Sequence, residues 1–113
     1  MIRKIFKAII PKRLHLYNYV TRRAELFLNG IVYNGPFKGM LYINKAHVSF
    51  VCHKVTGTYE KEIQHIIKNE LSVEYDAIFD IGSAEGYYAV GMAKFSQAKK
   101  VVSFESSDEG RKL

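Results

Sequence analysis

The chain has little of what would mark the simplest functional classes. One cysteine, Cys52, occurs in 113 residues, which excludes an internal disulfide and suits a reducing compartment. Cys52 itself reads as a small apolar residue buried on a strand. No apolar run approaches the roughly 20 residues needed to span a bilayer. The amino end, MIRKIFKAII, alternates charged with apolar residues and lacks the uninterrupted core of a secretory signal. Cytoplasmic is therefore the default location.

Other absences narrow the chemistry. No Ser-His-Asp or paired-carboxylate arrangement is recognisable, which disfavours hydrolases. No zinc-finger spacing or nucleic-acid fold signature occurs. His47 and His53 are six apart, with Cys52 adjoining, but a metal site needs more convergent ligands than these, so none is expected. His15 and His65 fall on expected helices without a partner at ligand spacing. No repeat, low-complexity run or Ser/Gly linker divides the chain.

What is present is an ordinary globular composition, 48% apolar and 25% charged, with one informative stretch from Tyr75 to Glu105. Ala77–Ile81 is a short apolar run, as a buried parallel strand shows. Gly82 and Gly86 bracket a turn, and a helical pattern runs from about Glu85 to Phe95. Val101–Phe104 forms a second strand, closed by Glu105. Parallel strands joined by a helix place their ligand crevice beyond the strand ends, where Gly82, Gly86 and Glu105 converge.

Spacing restricts the ligand. The dinucleotide fingerprint needs glycine at three positions, here occupied by Gly82, Ala84 and Tyr87, so one of three is met. A P-loop needs Gly-Lys, a pair that occurs nowhere in the chain. Asp80-x-Gly82-x-x-x-Gly86 suits instead a nucleoside without phosphates. Small residues at Gly82 and Ala84 admit close backbone approach, and the helix amino end favours a carboxylate. Glu105 lies 23 positions after Gly82, near the ~20 at which such folds bind ribose hydroxyls. An ionised Glu105 can accept two hydrogen bonds from a vicinal diol. The plain alternative is a strand-turn-helix of another α/β protein, with Glu105 merely solvated.

Three blocks sharpen the comparison. Gly57-Thr58-Tyr59-Glu60, Phe79-Asp80-Ile81-Gly82-Ser83-Ala84-Glu85-Gly86-Tyr87-Tyr88 and Ser103-Phe104-Glu105-Ser106 together resemble the opening of an FkbM-type class I S-adenosylmethionine-dependent methyltransferase. Ser83 takes the place of the family's alanine, and Ser106 that of its proline; serine and proline both suit a helix start. The resemblance covers roughly residues 55–113. It implies an α/β fold, the start of a Rossmann-like sheet preceded by amino-terminal helices and a β-hairpin. It also implies S-adenosyl-L-methionine held by Asp80, Gly82, Ser83, Ala84, Gly86, Glu105 and Ser106, with Thr58, Tyr59 and Glu60 bordering the pocket. Methylation of oxygen in a small molecule or glycan is the activity it implies. Only the amino-terminal part of such an enzyme is expected here, so acceptor-activating residues are placed beyond Leu113 and none is assigned.

Three regions follow along the chain: 1–30, 31–72 and 73–113. The first carries seven Lys/Arg against Glu25 alone, a local +6 equal to the charge of the whole chain. Ile2, Ile5, Phe6, Ile9 and Ile10 recur at helical spacing up to Pro11. A second helix is expected from Lys12 to Asn29, capped by Gly30, with Leu14, Tyr17, Val20, Ala24, Phe27 and Leu28 on one face. Such a basic amphipathic segment can pack on the domain, lie on an anionic membrane or bind nucleic acid. The alternative function is accordingly a non-catalytic remnant binding an anionic surface through residues 1–30.

In the second region, Asn34-Gly35-Pro36 and Lys38-Gly39 signal turns. Met40–Ile43 and Val48–Cys52 are expected to pair as a hairpin. A helix is expected from Thr58 to about Asn69, with Glu60 and Glu62 in its first turn. Its buried stripe would be Ile63, Ile66, Ile67 and Leu71.

Overall fold

The computed structural model describes Tyr19, Arg23, residues 29–42 and residues 51–112. Most of the two helices expected before residue 30 therefore falls outside the described residues; Tyr19 and Arg23 are helical and exposed. The remaining elements are helix α1 (Val51–Thr56), helix α2 (Gln64–Glu70), strand β1 (Ile78–Ile81), helix α3 (Tyr87–Phe95) and strand β2 (Val101–Phe104). A 3-10 turn, Gly110–Lys112, follows. Among the described residues no helix is long and apolar enough to cross a membrane.

β1 and β2 form a two-stranded parallel sheet in which Ile78 opposes Val101 and Ile81 opposes Phe104. The strands and their connecting helix match the expectation to within two residues at each end. α3 packs against both strands. Phe79, Ile81 and Phe104 are exposed, and the rings of Phe79 and Phe104 stack at 6.3 Å. The chain is thus a small mixed helix and strand structure around a parallel pair.

The hairpin differs from expectation. Leu41 bridges Ile31 in antiparallel fashion, with Val32 N–H donating to Met40 O at 2.9 Å and Tyr42 N–H to Gly30 O at 2.6 Å. The two turn signals close one loop, so Met40–Tyr42 pairs backwards with residues 30–32. Val51 and Cys52, expected on a strand, open α1, and Cys52 is half-buried; residues 43–50 lie outside the described part. A short apolar run is ambiguous between strand and helix. Helical spacing here turns Val51, Lys54 and Val55 toward the core, and Tyr33 N–H bonds Val55 O at 2.8 Å.

α2 starts later than expected. Residues 59–63 form turns, and the Gln64 side-chain amide donates to Gly57 O at 3.0 Å and Tyr59 O at 2.9 Å. These bonds hold the preceding loop open, so Thr58 caps nothing and Glu60 and Glu62 are not in a first turn. Ile63, Ile67 and Leu71 are half-buried and Ile66 is exposed. The stripe is shallow.

The core is centred on the hairpin and helices, with Ile78 of β1 and Val101 of β2 packing against it from the sheet. Val32, Phe37, Met40, Tyr42, Val55, Tyr87 and Met92 are buried together, joining the hairpin, α1 and α3. Phe37 sits at its centre, edge-on to Tyr87 at 5.3 Å and to Tyr88 at 5.8 Å, and stacked on Phe95 at 6.3 Å. Burying such a side chain contributes about 1.5–3 kcal/mol.

Candidate functional site

The turn between β1 and α3 carries three residues in the left-handed region: Gly82 at φ 81°, Ala84 at 48° and Gly86 at 83°. Glycine meets this requirement without a Cβ penalty, whereas Ala84 holds it under strain. A Cβ on Gly82 would meet no atom within 4 Å, so backbone conformation rather than crowding demands glycine there. The space beside it is open. Gly86 caps α3 by its backbone alone.

β2 supports this turn from beneath. Gly82 N–H and Ser83 N–H donate to Phe104 O at 2.8 and 3.1 Å, and the hydroxyls of Ser103 and Ser83 meet at 2.6 Å. Glu105 Oε2 accepts the Ala84 N–H at 2.7 Å, and Oε1 accepts the Ser107 N–H at 2.7 Å. Those two N–H groups hold the carboxyl below the usual glutamate range, Ser107 contributing most. Glu105 is thus ionised at neutral pH, and with the Ser106 backbone N–H also acting on it its carboxylate retains an acceptor site beyond those its own loop uses.

The other residues named from sequence divide. Asp80 lies beneath the turn, half-buried. Burial pushes its carboxyl up, and the Ala89 backbone N–H opposes the shift. Its Oδ2 is buried and finds no partner among the described residues. Ser106 is exposed and opens no helix. Its carbonyl and that of Glu105 accept from the Arg111 guanidinium at 2.9 and 2.8 Å, folding the chain back as far as the 3-10 turn.

Thr58, Tyr59 and Glu60, with His53, line a cleft of about 190 Å³. Glu60 stands at φ 44°, and its Oε2 accepts the Tyr88 hydroxyl, tying the cleft wall to the first turn of α3. Burial and that hydrogen bond push the Tyr88 phenol up strongly. Burial first, then the Glu60 charge, raise the Tyr59 phenol as well. Among the described residues no cluster of three or more His, Cys, Asp or Glu could hold a metal ion.

Sequence reasoning passed over Lys54 and Glu85. Glu85 belongs to the glycine turn yet is buried, and its Oε1 accepts from both the Lys54 ammonium and the Tyr42 hydroxyl. The ammonium lies 4.7, 5.4 and 5.8 Å from the ring centroids of Tyr59, Tyr87 and Tyr42. The Lys54 and Glu85 side chains are 4% and 1% exposed. With the partners 31 positions apart in the chain, no local pattern could have paired them. A buried ion pair broken on one side costs about 3–5 kcal/mol.

The arrangement offers a fixed anionic acceptor facing a strained, sterically open turn. No protein-family model, curated protein or solved structure matches this chain.

Proposed function

We propose that this chain is the cofactor-binding part of a class I, FkbM-like methyltransferase, its parallel pair the start of a Rossmann-like sheet. Asp80, Gly82, Ser83, Ala84, Gly86, Glu105 and Ser106 hold S-adenosyl-L-methionine in this reading. The acceptor is an oxygen of a small molecule or glycan. One observation carries the proposal: the Glu105 carboxylate at the end of β2 stands 2.7 Å from the Ala84 N–H of the glycine turn. The acid and the turn, 21 residues apart, thereby form a single site.

The residues present suit the cofactor. Glu105 keeps an acceptor site for a ribose hydroxyl, the space beside Gly82 is open to 4 Å, and α3 presents its amino end to a carboxylate. The bound cofactor would supply a methyl group activated on a sulfonium. The protein's task is to fix that group in line with the acceptor and to exclude water. The test is calorimetric titration of the chain with S-adenosylhomocysteine. Saturable one-to-one binding is expected, and no heat of binding across the soluble range would overturn the reading.

A further inference from the structure

Glu85 is the only carboxylate within the glycine turn, and its placement is unusual for a residue flanked by two left-handed positions, Ala84 and Gly86. The Ala84 N–H is bonded to Glu105 at the end of β2. The next side chain, Glu85, is buried and bonded to Lys54 of α1 and Tyr42 of the hairpin. Successive residues thus anchor the turn to two separate parts of the fold. Lys54 is itself fixed, because three tyrosine rings surround its ammonium and favour the charge electrostatically. One of those rings, Tyr59, also lines the cleft.

A carboxylate whose only purpose was solubility would stand in water, and a core built only for stability would use apolar groups of the same volume. Glu85 does neither. We propose that the Lys54–Glu85 pair, with Tyr42 as second donor, is a positioning device that sets the backbone of the turn. On this account Lys54 and Glu85 are positioning residues that touch no ligand. The consequence for ligand binding rests on the proposed function; the consequence for the turn does not.

The double substitution Lys54→Met/Glu85→Met separates positioning from stability, because it removes both charges while keeping the interior filled. Hydrogen exchange at the Ala84 amide, compared with strand amides in the same sample, reads the turn directly. Exchange at Ala84 should rise about tenfold or more in the double variant while the strand amides hold. An unchanged ratio overturns the proposal. Titration with S-adenosylhomocysteine is run in parallel, and affinity should fall about tenfold. If the unsubstituted chain binds none, the methyltransferase reading fails, yet the exchange ratio still decides the role of the pair. Should the double variant not fold, Tyr42→Phe, which deletes one hydroxyl, is read by the same ratio: a rise supports the device and no change overturns it.

Discussion

The ring of Phe37 lies directly against the backbone of Gly91 in α3: a Cβ placed on Gly91 would stand 2.6 Å from three of its carbons. No Cβ fits at that distance unless the ring moves. Phe37 is fully buried and held by Tyr87, Tyr88 and Phe95, so it has nowhere to go. A mid-helix glycine normally costs about 1 kcal/mol against alanine. Here the close approach is its reason.

Gly91→Ala should therefore destabilise the fold by about 1–3 kcal/mol of overpacking, despite the gain in helix propensity. Urea denaturation checks this through the midpoint. Phe37→Leu in the same chain should recover part of the loss, and a midpoint for Gly91→Ala at or above that of the unsubstituted chain would show that the ring yields.

Gly82 gives the opposite test, since a side chain there meets no atom but must adopt φ 81°. Gly82→Val should lower stability by about 1–3 kcal/mol through backbone strain and abolish binding of S-adenosylhomocysteine. Gly82→Asn, which tolerates the left-handed region, should fold nearly as well as glycine while still binding weakly. Equal stability of the valine and asparagine variants would contradict the argument from φ.

Glu105→Ala removes the acceptor of the Ala84 and Ser107 N–H groups. Cofactor-product affinity should fall about ten- to hundredfold, the range for a charge-assisted hydrogen bond. Glu105→Gln keeps one carbonyl acceptor and should fall between. Full affinity in the alanine variant, with an intact circular-dichroism spectrum, would mean that the acid serves only the loop.

The two carboxyls of the site should also respond to acid with opposite signs. The Glu105 carboxyl is depressed by the Ser107 and Ala84 N–H groups; its contribution is present above the unfolded value and disappears as pH falls through the folded one. The Asp80 carboxyl is raised by burial, so it loses stability as pH climbs from the unfolded value through the folded one. Asp80→Asn should accordingly raise the melting midpoint by a few degrees at neutral pH and change it little in acid. Thermal scans between strong acid and neutrality on Glu105→Gln and Asp80→Asn would show the two trends. Parallel curves would refute the assignment.

At the alkaline end, burial pushes the Tyr87 phenol from 10.0 up to about 12, and Tyr88 is raised further in the same direction. A folded value above the unfolded one means stability is intact below pH 10.0 and lost as pH rises toward about 12. Phenolate absorbance should therefore show two tyrosines that ionise only with unfolding. Their titration in step with exposed tyrosines, before any change in circular dichroism, would sink this prediction.

The strand-turn-helix-strand unit was legible because its signals are local. Ile78–Ile81 and Val101–Phe104 are short apolar runs, and Gly82 and Gly86 stand where φ is positive. The convergence of Glu105 on that turn was legible too, since parallel strands bring their carboxyl ends together. The partner of Met40–Tyr42 was not, because a turn signal does not say which arm returns. Nor was α1, where Val51 and Cys52 have strand propensity and only the packing of Val51 and Val55 into the common core favours the helical spacing. Glu85 shows the limit most plainly. By sequence it is a polar residue at a helix start and belongs in water. Only the folded chain places an ammonium and a phenol beside it, and a buried carboxylate is tolerable only where such partners replace the water it loses.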